Sequence, residues 1–221
     1  SGQSGSPITS AASARASMRR TSGSAGVNTG AMPQCFAHRM RVSATDDREL
    51  VSRASVCTCS MGLVEKIATE STIPSEPIVF MKAVTCISGP NDDVVQPKHS
   101  TKLDWEVELA VVIGRHAKHV KRADALQYVA GYTIANDYAI RDYLENWYRP
   151  NLRVKNRDTC TPIGPWLVDA ADVPDPMNLA LRTTVNSQIT QEGNTRDMIF
   201  DVPTLIEYFS SFMTLQPGDL I

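Results

Sequence analysis

The residues with most chemistry to offer are the acidic pair in DWEVELAVVIG, residues 104–114. Side chains of a β-strand alternate between faces, so Glu106, Glu108 and Ala110 point one way and Val107, Leu109 and Val111 the other. Two carboxylates on one side of so apolar a run repel each other and resist burial unless a cation or several hydrogen-bond donors neutralise them. A divalent metal is the simplest neutraliser, and oxygen-only ligands select hard ions such as Mg²⁺, Mn²⁺ or Ca²⁺. The plainer alternative is a strand with one solvated face. A second cluster, Asn136-Asp137, lies between an apolar strand pattern and a helical one, a place where polar side chains commonly reach a site. Asp137 would serve equally as the cap of that helix. Arg141, one helical turn on, can grip a substrate carboxylate bidentately or pair with Asp137 on the surface. Lys155, in the basic segment RPNLRVKNRD, can hold an oxyanion or move a proton beside a metal, or lie in a solvated loop. His116 and His119 read as surface residues of a polar turn after Gly114. Cys57 and Cys59 read as two thiols beside a strand, because no second pair of ligands accompanies them.

These groups need elements to carry them. Pro74 and Pro77 punctuate an extended approach to the apolar run from Ile78 to Met81, and a Gly-Pro-Asn-Asp turn follows at 89–92. The pattern predicts a strand over 105–113, a short helix over 123–129 and a strand over 132–135. A second helix is expected from Asn136-Asp137 to about Trp147, ended by Pro150. Strands are expected over 162–168 and 179–185, with a hairpin turn at Asn186-Ser187 into 188–191. Leu205, Ile206, Phe209, Phe212 and Met213 recur at helical spacing, which predicts an amphipathic helix over 202–213. After a turn at 216–219, Leu220-Ile221 opens an apolar run that normally continues into a paired strand, so the chain is expected to be a fragment.

The bulk properties narrow the partners. A chain of 221 residues with 42% apolar residues can build one proper core. With 22 basic against 24 acidic residues and a pI near 6.1, it has no strong field for nucleic acid or an anionic membrane. No run approaches the roughly 18 apolar residues of a membrane span, which leaves a small molecule as the expected partner. Five cysteines, odd in number and without a CxxC pair, favour a reducing compartment such as the cytoplasm. Residues 1–45 are rich in Ser, Gly and Ala, carry Arg15, Arg19, Arg20, Arg39 and Arg41, and have no acidic residue. That composition is expected to form a disordered or targeting-like tail, with mitochondria as the alternative location.

DWEVELAVVIG, ADALQYVAGYTIANDYAIRD, PIGPWLV, GNT, VPTLIEYFS and MTLQPGDLI occur in an order that resembles the fumarylacetoacetate hydrolase family. NDYAIRDYLENWYRPNLRVKNRD looks like its branch that decarboxylates and isomerises products of homoprotocatechuate cleavage in 4-hydroxyphenylacetate breakdown. The resemblance implies an α+β, mainly β fold, a mixed β-roll incomplete at its C-terminal end, and a homodimer. It divides the chain into the tail (1–45), a divergent segment (46–72) and a catalytic domain (73–221). It implies Mg²⁺ or Mn²⁺ held by Glu106, Glu108 and Asp137, with Arg141 and Lys155 facing a 2-oxo acid substrate. A lid that carries His and Glu in the family corresponds here to LVEKIATE, where Ile67 replaces the His and only Glu70 fits. That change speaks against a hydrolase, which needs the His to activate water. The activity implied is therefore metal-dependent decarboxylation or isomerisation of a 2-oxo-enedioate. The alternatives are an acylpyruvate-type carbon–carbon hydrolase and a non-catalytic remnant that keeps the scaffold or its dimer interface.

Overall fold

A computed structural model describes residues 75–143 and 152–221, together with the backbone of four short strands, Arg15–Ala16, Arg19–Arg20, Met40–Arg41 and Val56–Thr58. Strand β1 (Phe80–Lys82) pairs with Val56–Thr58, and β2 (Ile87–Ser88) and β3 (Leu103–Asp104) are short. The centre of the fold is an antiparallel sheet in which β5 (Val129–Asn136) lies between β4 (Val107–Ile113) and β7 (Thr161–Asp169). Strand β2 runs parallel to the start of β7. A hairpin of β8 (Leu179–Val185) and β9 (Gln188–Asn194) forms the second main sheet. Its turn residues Asn186 and Ser187 both take positive φ, the geometry of a two-residue hairpin turn. The architecture is mainly β with few helices, as the sequence implies.

The odd-numbered face of β4 is the apolar one. Val111 and Ile113 join Tyr132, Leu205, Ile206, Phe209 and Leu215 in the main core, while Val107 packs with Ile134 and Leu181. Helix α2 (Val202–Phe212) closes that core; Asp201 caps it, accepting from the Thr204 N–H at 2.9 Å. It buries Leu205, Ile206 and Phe209 as predicted, but Phe212 is 57% exposed. Beyond the turn at Gln216–Asp219, Ile221 exchanges backbone hydrogen bonds with Val111 at 2.7 and 3.0 Å, so the last residues extend the sheet along the free edge of β4.

Two helices differ from expectation. The segment Arg122–Tyr128 is a 3₁₀ helix. The helix expected to start at Asn136-Asp137 does not form among the described residues: β5 runs through Asn136, β6 (Ala139–Ile140) pairs with β3, and a 3₁₀ turn covers Arg141–Tyr143. Hydrogen bonds from elsewhere hold this segment extended. Arg141 N–H donates to the Lys102 carbonyl at 2.8 Å, and Asp142 accepts from the N–H groups of Thr101 and Lys102 at 2.9 and 3.0 Å. Helical spacing yields here to tertiary pairing. No helix among the described residues is long and apolar enough to cross a membrane.

At Gly131 the sheet has no room for a side chain: a Cβ would stand 2.3 Å from the Val168 carbonyl of the adjacent strand. Gly131→Ala is therefore expected to cost about 1–3 kcal/mol through forced separation of β5 and β7. Urea unfolding measures it, and an unchanged midpoint would contradict this packing.

Candidate metal centre

The register of β4 on β5 builds the site. Val107 faces Asn136 and Glu108 faces Ala135. One step further along, the Asp137 N–H donates to the Glu106 carbonyl at 2.9 Å, while the Asn136 side-chain oxygen accepts from the Glu106 N–H at 3.0 Å. Glu106 is thus fixed through both of its backbone groups by the residues that lead to Asp137. Gln191 of the hairpin fixes the next residue, its Oε1 accepting from the Val107 N–H at 2.8 Å. One carboxylate oxygen each from Glu106, Glu108 and Asp137 lies within 4.8 Å of the others. The E-x-E face and the Asp therefore meet, although Asp137 reaches the site from a strand end and not from a helix cap.

Cations surround the three acids. Lys155, at the end of the one-turn helix α1 (Leu152–Lys155), donates to Glu106 Oε2 at 2.6 Å and to Asp137 Oδ2 at 2.7 Å. Arg141 donates from Nη2 to Glu106 Oε1 at 2.6 Å and from Nε to Asp104 Oδ2 at 2.9 Å. It partners Asp104 and Glu106, not Asp137, because the segment is not helical. A third cation, Lys82, reaches Asp137 Oδ1 at 2.5 Å with both side chains fully buried. The sequence reading missed Lys82. The signal lay in period 2: Phe80 is buried and Met81 exposed, so Lys82 had to point inward again.

Electrostatics separate the roles. Burial alone would lower the Lys155 amine, but the charges of Asp137 and Glu106 and their hydrogen bonds outweigh it and leave the amine raised, a firm ammonium at neutral pH. Glu108 moves oppositely in meaning: burial first, then the charges of Asp137 and Glu106, lift its carboxyl well above the usual range despite Lys155 and Lys82. No hydrogen bond or ion pair reaches the Glu108 side chain among the described residues. Glu108, Asp137 and Thr161 line one small cavity, and Thr161 Oγ1 is buried without a partner. A carboxyl without a side-chain partner, crowded by two others, fits a hard divalent cation.

Of the other candidates, His116 and His119 are exposed in a turn and take no part in the cluster. Glu70 and the side chains of Cys57 and Cys59 lie outside the described residues.

A model of the fumarylacetoacetate hydrolase C-terminal domain matches residues 48–221. The chain belongs to the fumarylacetoacetate hydrolase family. Among family members it resembles a 4-hydroxyphenylacetate degradation bifunctional isomerase/decarboxylase of Salmonella dublin, 58% identical over 150 residues. That match covers 68% of this chain but 35% of the relative, so the chain spans about a third of that relative's length. Its fold is similar to a 5-carboxymethyl-2-hydroxymuconate delta-isomerase from Mycobacterium smegmatis, with a TM-score of 0.67 and 36% identity over 76% of this chain and 66% of the other. It is also similar to a maleylpyruvate hydrolase from Sphingobium sp. SYK-6 solved with manganese(II) and pyruvate, with a TM-score of 0.58 and 37% identity over 65% of this chain and 52% of the other.

The raised Glu108 carboxyl predicts a pH slope in the family member described here. Without metal, the folded chain keeps a proton that the unfolded chain releases near the ordinary glutamate value. Stability is then expected to fall as pH rises from that value through the raised one. Glu108→Gln should lack this fall and be at least as stable as the unchanged chain at neutral pH. Urea unfolding across pH in excess chelator tests it; parallel curves would refute the assignment.

Proposed function

We propose that this chain carries the Mg²⁺- or Mn²⁺-dependent site of an enzyme that decarboxylates or isomerises a 2-oxo-enedioate in the breakdown of aromatic compounds. The observation that supports it most is the junction of Glu106, Glu108 and Asp137 with a protonated Lys155 at its rim, in a chain 58% identical to an isomerase/decarboxylase of 4-hydroxyphenylacetate degradation. Residues 73–221 are the catalytic unit in this reading, the substrate is a small 2-oxo acid, and the family resemblance adds a homodimer.

Glu106, Glu108 and Asp137 would hold the cation, which supplies Lewis-acid stabilisation to a developing enolate. Lys155 is an ammonium with two carboxylate partners, so its part is to donate a hydrogen bond to the developing oxyanion or a proton to the adjacent carbon, not to act as a base. Arg141 is held by Asp104 and Glu106 with its side chain 39% exposed, so its guanidinium can orient a substrate carboxylate. Decarboxylation and isomerisation both pass through an enolate, so one arrangement of donors serves both.

A second reading, carbon–carbon hydrolysis of an acylpyruvate-type substrate, draws on the likeness to the maleylpyruvate hydrolase. The Ile67 found where the family's water-activating His is expected weighs against it.

The test is CO₂ release from 5-carboxymethyl-2-oxo-hex-3-ene-dioate with and without Mg²⁺. Glu106→Ala should retain the far-UV circular dichroism of the unchanged chain and lose activity by about 10²-fold or more, the scale on which removal of a main electrostatic stabiliser acts. Cleavage products without CO₂ would favour the hydrolase. Mg²⁺-independent release would sink the metal reading.

A further inference from the structure

Lys82 does more than balance a buried charge. Lysine is almost never fully buried unless paired, and one ion pair with Asp137 would satisfy that need. Yet the same ammonium also donates to the backbone carbonyl of Lys155. That carbonyl ends a one-turn helix and has no partner further along it, so Lys82 supplies the missing donor. The chain around Lys82 is bound to the same place. Asn156 Nδ2 donates to the Met81 carbonyl at 3.0 Å, and the Ala83 N–H donates to Asn156 Oδ1 at 2.5 Å. Residues 81–83 and 155–156 are therefore laced together on both sides of the lysine.

We propose that Lys82 is a positioning residue: by holding Asp137 Oδ1 and the Lys155 carbonyl with one ammonium, it fixes the spacing between ligand and amine and turns Asp137 Oδ2, which also accepts from Lys155 at 2.7 Å, toward the cation as the coordinating oxygen. The inference rests on the reading of Glu106, Glu108 and Asp137 as a divalent-cation site. Lys82 touches no reacting atom and acts through its two neighbours.

Removing Lys82 separates this role from plain neutralisation by sign. If Lys82 only balanced charge, its loss would leave the acids more negative and a divalent cation would bind at least as tightly. If it positions Asp137, affinity should fall, by about 10–100-fold as for other groups that orient metal ligands. The experiment is calorimetric titration of the chelator-stripped chain and of Lys82→Met with Mn²⁺. A Kd raised tenfold or more supports the proposal; a Kd unchanged or tighter overturns it while leaving the metal site in place. Absence of Mn²⁺ binding by the unchanged chain overturns both readings together. Should Lys82→Met not fold, a crystal structure of the Mn²⁺-loaded unchanged chain decides. Anomalous density beside Oδ2 with Oδ1 still on Lys82 supports the role, and Mn²⁺ on Oδ1 with Lys82 displaced overturns it.

Discussion

Three carboxylates gathered at the meeting point of β4 and β5 are the constraint around which the rest of this structure is arranged. Asp137 and Glu106 together raise the cost of ionising Glu108, which burial opposes as well. The fold answers with cations from three directions: Lys82 from β1, Lys155 from α1 and Arg141 from the turn after β6. The two lysine pairings are short and shielded, unlike the exposed Arg182–Glu192 pair of the hairpin, which contributes little. Among the described residues no cation pairs with Glu108, and that asymmetry gives the cluster its chemical direction.

The acids are held by backbone more than by side-chain packing. Glu106 is pinned at its N–H by Asn136 and at its carbonyl by Asp137, and the β4–β5 register carries Glu108 with it. Behind them the apolar face of β4 packs into the core closed by α2. A rigid sheet with one solvent-averse face is a suitable mount, since a slip of one residue would turn both glutamates into the core and Val107 and Leu109 out of it.

Much of this was legible in the sequence, and the reasons differ by residue. Glu106 and Glu108 were readable because period 2 needs only local spacing. The hairpin at Asn186-Ser187 and the helix over 202–212 were readable for the same reason, and the family motifs conveyed the fold. Asp137 and Arg141 were found in the right company but on the wrong element. The stretch after Asn136 has helical spacing, and its pairing with β3 together with the bonds of Arg141 and Asp142 to the backbone of residues 101 and 102 keeps it extended. Lys82 escaped because its meaning depends on partners 55 and 73 residues away. Glu70 belongs to a part of the chain for which residue pattern remains the guide.

The donors of the centre come from segments near residues 82, 106, 137 and 155, so no local stretch of chain holds the set before it folds. An ion bound there would recognise the native state and not the unfolded one. By mass action it would add to the stability of the fold in proportion to the logarithm of its free concentration above Kd. With such an ion, occupancy and tertiary order would be one equilibrium, and the availability of the ion would be part of what decides how much of the chain is folded.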